Sequence, residues 1–78
     1  MPRPITGESP LARLRVAAGL SQQQLADRLG ATSEPAVHRW ETGRTRPSVD
    51  MLPRLAATLG VPLEALVHAI VETPRRQE

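Results

Sequence analysis

The chain has 78 residues, enough for one small domain with a thin core. It holds no cysteine and only two histidines, which leaves neither a disulfide framework nor a zinc site to support it; regular helix packing or dimerisation must serve instead. The formal net charge is only +2, yet the isoelectric point is about 11.0 because every basic side chain is arginine. The guanidinium group suits phosphate and guanine, but a GC-rich coding sequence produces the same bias, so charge alone identifies no partner.

Residues 1–8, "MPRPITGE", hold two prolines and a glycine without apolar period, and a flexible N-terminal arm is expected there. The N-terminal stretch has no apolar core of a signal peptide, and the longest apolar run falls far short of a membrane span. A soluble, cytoplasmic protein without membrane association is therefore expected. "SPLARLRVAAG" predicts a first helix: Ser9 as cap, Pro10 at the first helical position, Gly19 as stop, with Leu11, Leu14 and Ala18 on one face. "SQQQLADRLG" predicts a second. Ser21 and Gln24 have capping-box spacing, Leu25, Ala26 and Leu29 form the buried face, and Gly30 ends it.

"SEPAVHRWETG" predicts a short third helix capped by Ser33, with Val37 and Trp40 inward and Gly43 as stop. "SVDMLPRLAATLG" predicts a fourth from Ser48, with Leu52, Leu55, Ala56 and Leu59 inward. Pro53 lies just past the free-donor turn, so a bend or one lost hydrogen bond is expected there. "VPLEALVHAIV" predicts a fifth helix, apolar almost all round. The folded domain is placed at 9–71 and a polar tail at 72–78. No strand signal and no solenoid repeat occur. The fold class expected is all-α, a compact bundle of about five helices.

Two short helices joined by a tight turn, second and third in such a bundle, form a helix-turn-helix with its motif at about 22–41. With Val37 and Trp40 buried, Glu34, Pro35, His38 and Arg39 face outward. Arg39 can grip guanine O6 and N7 in a bidentate pair, and Glu34 can accept from a cytosine amino group. Arg44 and Arg46 follow where a duplex backbone would pass. Each residue also has a plainer reading. Glu34 suits any helix N-terminus, Pro35 any first turn, and Arg44 and Arg46 any solvated loop. Trp40 is read as core, since its spacing from Val37 buries it. Gln24 has the capping role, which leaves Gln22 and Gln23 freer. His38 and His68 have no catalytic partner or metal spacing around them.

The segments "LARLRVAAGLSQQQLADRLG", "AVHRWETGRTRPS" and "LPRLAATLGVPLEAL" resemble the helix-turn-helix regulators of the phage repressor and Cro type (XRE-like), over about residues 10–67. The resemblance implies a lambda-repressor-like fold, dimeric on double-stranded DNA, binding a near-palindromic operator to regulate transcription, with repression the first expectation. Carried over residue by residue, it puts Gln22 against a phosphate or the edge of the site. It also implies that Ser33, Glu34, Pro35, His38 and Arg39 line the groove and that Arg44 and Arg46 touch the backbone. Arg15 and Glu41 match its structural pair. Between Gly30 and Val37 the chain has one residue more than the family norm: either the turn is longer or Thr32 rather than Ser33 caps the third helix.

Leu63, Leu66, Val67, Ile70 and Val71 exceed what one thin core can absorb, so a homodimer through the fifth helix is expected. The alternative is an antitoxin-like or adaptor protein that uses this helix and the tail to bind a protein partner. Neither a nucleophile–base arrangement nor a glycine-rich phosphate loop occurs at motif spacing, so an enzyme is not expected, nor any cofactor or metal.

Overall fold

The computed structural model describes residues 9–74, which form five α-helices and one short 3-10 turn. Helix α1 (Pro10–Ala17) starts where Ser9 Oγ accepts the Ala12 N–H at 3.2 Å. It ends where Gly19 turns left-handed and lets the Leu20 N–H reach back to the Arg15 carbonyl. Helix α2 (Gln22–Leu29) has the reciprocal cap expected of Ser21 and Gln24, at 3.0 and 2.8 Å.

Helix α3 (Glu34–Glu41) follows a connection of four residues, Gly30–Ser33, so the extra residue lengthens the turn and Ser33 holds the N-cap position. Its hydroxyl makes no cap bond, contrary to expectation. An N-cap oxygen accepts from the second or third helical residue. Here the second is Pro35, which has no N–H, and the third, Ala36, donates to the Ser33 carbonyl instead, at 3.1 Å.

The fourth helix is also shorter than the sequence suggested. A 3-10 turn at Val49–Met51 precedes α4 (Leu52–Leu59), and Ser48 caps neither with its side chain. Pro53 accounts for the break. Its ring would collide with the carbonyl four residues earlier in a continued α-helix, so the α-helix begins one residue before it. No hydrogen bond is lost, because Pro53 falls in the first turn where the donor has no helical partner. Helix α5 (Leu63–Glu72) opens after Pro62 and closes on Thr73, whose hydroxyl donates to the Ala69 carbonyl at 2.8 Å.

Packing runs α2 on α3, α1 and α4 on α5, α2 on α4 and α1 on α3. The centre is Leu25, Leu29, Val37, Leu55 and Leu66, with Trp40 against them. Several expectations are corrected. Ala18 is exposed, and Ala12, not it, completes the buried side of α1. Leu66 and Ile70, expected in a dimer interface, are buried in the protein's own core, because α5 is clasped between α1 and α4. Leu63, Val67 and Val71 are exposed. Glu72 and Thr73, expected in the tail, belong to the folded unit: one ends α5 and the other is buried. The N-terminal arm, 1–8, and the end of the tail, 75–78, lie outside the described residues. No single helix among the described residues is long and apolar enough to cross a membrane.

Candidate nucleic-acid interface

Helix α3 presents two chemically different sides. Val37, Trp40 and Glu41 are buried against α2 and α1, while Glu34, Pro35, His38 and Arg39 are exposed. The division follows from helical spacing: residues three and four apart share a face, and the apolar pair Val37 and Trp40 defines the inner one. Glu41 is the exception, a carboxylate on the inner side with its side chain only 5% exposed.

A network satisfies that carboxylate. Arg15 Nε donates to Glu41 Oε2 at 2.6 Å and Arg15 Nη2 to Oε1 at 3.1 Å, a bidentate pair between α1 and α3. Arg15 Nη1 also donates to the Leu20 carbonyl at 2.9 Å, tying the α1–α2 turn to the same guanidinium. From α2, Gln22 Nε2 donates to Glu41 Oε1 at 2.9 Å. Three helices are thus joined at one carboxylate, which fixes the rotation of α3 about its own axis and hence what it shows to solvent.

The exposed face stands ready for a polar surface. Arg39 projects from it, and its guanidinium has no hydrogen bond or ion pair among the described residues. His38 lies beside it, with its Nδ1 3.5 Å from Gln22 Nε2. Glu34 is at the first helical position, where the helix dipole favours an acid. Ser33 is exposed with its hydroxyl unused by the cap. Gln22 is half-buried, and its side-chain nitrogen lies between Glu41 and His38. Gln23 is exposed and donates along α2 to Asp27 at 3.0 Å.

Beyond α3 the chain reverses at Gly43, a buried residue with φ 81° that brings the Arg44 N–H to within 3.0 Å of the Arg39 carbonyl. A left-handed residue is required there, and glycine takes that conformation without a Cβ penalty. Arg44 and Arg46 then lie exposed on the loop that leaves the end of α3. The same loop borders an apolar groove formed by Pro47, Val49, Leu52, Val67, Ile70 and Val71, with Arg46 also in its wall and Ile70 at its floor, 9% exposed.

Among the contacts that escaped the sequence reading are two that join separate helices. One is the Gln22–Glu41 bond, whose partners are 19 residues apart. The other is Arg54 of α4, whose Nη1 donates to the Leu29 carbonyl at 3.0 Å and so satisfies the C-terminal end of α2. Neither has a local signal, because no spacing rule reaches across separate helices.

A family model described as helix-turn-helix matches residues 11–66, from the first turn of α1 into α5. No curated protein and no solved structure matches the chain.

Proposed function

The chain belongs to the helix-turn-helix family of DNA-binding regulators, of the Cro/C1 (XRE-like) type, and from that premise we propose that it reads a specific double-stranded DNA sequence in the major groove through α3, as a cytoplasmic repressor of transcription. The observation that carries this reading is the exposed Arg39, unpaired among the described residues, on a helix whose rotation is locked from behind by Arg15, Glu41 and Gln22. A long bidentate donor on a rigid support is what recognition of guanine O6 and N7 demands. Ser33, Glu34, Pro35 and His38 flank it on the same side, while Arg44 and Arg46 meet phosphates next to the groove. Gln23 lies at the edge of the contact, and the Gln22 backbone N–H, at the first position of α2, offers a further phosphate donor.

Two copies act together. Leu63, Val67 and Val71 on α5, with Val49 beside the groove, offer the apolar surface for a second chain. A two-fold dimer places its reading helices about 34 Å apart, one turn of DNA, and requires a near-palindromic site. Selection of bound fragments from a random duplex pool tests both points at once. A motif with two inverted halves one turn apart is expected; no enrichment over the starting pool contradicts the reading.

The same exposed surface favours one second reading, an antitoxin-like or adaptor role in which a different protein covers α5. Isolation of the tagged chain from its own cells distinguishes the two, since a stoichiometric second polypeptide, in place of a second copy, supports the adaptor role.

A further inference from the structure

We propose that Gln22 sets the tautomer of His38, so that the imidazole meets DNA as a hydrogen-bond donor at Nε2 and reads an acceptor edge. The inference deepens the major-groove reading above and rests on it. It starts from Glu41, whose two oxygens are held by Arg15. Facing that carboxylate, the Gln22 amide has one permitted orientation: its nitrogen donates to Oε1 at 2.9 Å, whereas its oxygen there would meet another oxygen. With the amide so fixed, its second N–H is directed to His38 Nδ1, 3.5 Å away.

The separation is at the long end of a hydrogen bond, but the consequence does not depend on a strong one. An amide nitrogen is a donor only, and a proton on Nδ1 would set two N–H dipoles against each other. The neutral imidazole therefore carries its proton on Nε2, the nitrogen turned away from Gln22. His38 is exposed on the same side of α3 as Arg39, so that N–H is offered outward. In the major groove it finds a partner in guanine O6 or N7, adenine N7 or thymine O4, and none in the amino groups of cytosine and adenine. A chain of hydrogen bonds thus runs from a buried ion pair to the reading surface. It makes Gln22 a positioning residue and His38 a specificity-determining one.

Two measurements on the full chain test the two halves. The first is a long-range proton–nitrogen spectrum of the free protein in alkaline buffer, where imidazole is neutral, with exposed His68 on α5 as the internal reference. His38 is expected to hold its proton on Nε2 more completely than His68, and to relax toward the His68 pattern in Gln22→Ala. A proton on Nδ1 in the wild-type protein, or the same His38 pattern with and without Gln22, overturns the relay. This result needs no DNA and is independent of whether the chain reads any. The second is fragment selection with Gln22→Ala. Preference at the base pair facing His38 is expected to fall about fivefold, the worth of one hydrogen bond of about 1 kcal/mol, and by more than the preference at the base pair facing Arg39. Unchanged preference at the His38 base pair overturns the specificity role even where the tautomer is as stated. Failure of the wild-type chain to select any sequence instead overturns the major-groove reading itself.

Discussion

Glu41 carries its charge with a side chain only 5% exposed, and Arg15 opposite it is 14% exposed. Burial of that kind is costly unless the charge is paired and hydrogen-bonded, and here two nitrogens of Arg15 and one of Gln22 hold it. The pair contributes mainly by fixing how α3 sits, since removing it whole costs less than breaking it. Arg15→Ala is expected to destabilise the protein by about 3–5 kcal/mol because it strands the carboxylate. Arg15→Met combined with Glu41→Leu should recover most of that loss. Urea unfolding followed by Trp40 fluorescence, from the chain's single tryptophan, measures the cycle, and strictly additive effects would exclude a coupled pair. The residue types of this pair were legible in the sequence only through family likeness. The Gln22 contribution was not, because the capping rules that mark Ser21 and Gln24 say nothing about a neighbour that turns toward another helix.

At the scale of elements, the starts and stops that rest on local chemistry were readable and those that rest on packing were not. Ser9, Ser21, Gly19 and Gly30 act within four or five residues of themselves, and α1 and α2 begin and end where they indicate. The start of α4 depends on how Pro53 excludes an earlier α-turn, a steric fact that the serine at 48 obscured. Helix α5 shows a different limit. It is apolar on nearly all sides, so periodicity could not separate Leu66 and Ile70 from Val67 and Val71; contact with α1 and α4 decides that. Gly30 offers a test of the turn between the two motif helices. It has φ 76° and nothing within 4 Å of where a Cβ would stand. Gly30→Ala should therefore cost about 1–2 kcal/mol from backbone conformation alone, and Gly30→Asn less, since asparagine tolerates the left-handed region. Equal stability of all three proteins in thermal unfolding would contradict that account.

For the whole molecule, the exposed and buried residues of α5 separate folding from association. Leu66→Ala should lower stability by about 2–5 kcal/mol through the cavity it leaves. The neighbouring Val67→Asp should leave the isolated fold nearly unchanged and weaken self-association, as read by sedimentation. If both variants unfold alike, Val67 belongs to the core and not to an interface. The central claim is that α3 reads DNA while the loop after it holds DNA. Base contacts specify and phosphate contacts position, so the two kinds of arginine must fail differently. The most direct measurement is a titration of the wild-type chain, Arg39→Ala and Arg46→Ala against the selected duplex and a scrambled one at several salt concentrations. Arg39→Ala should lose about 1–3 kcal/mol on the selected duplex, with little change on the scrambled one. Arg46→Ala should weaken both duplexes alike and lower the salt slope by about 0.9 for the contact removed. Equal loss on both duplexes for Arg39→Ala, with the preferred sequence intact, would contradict the account.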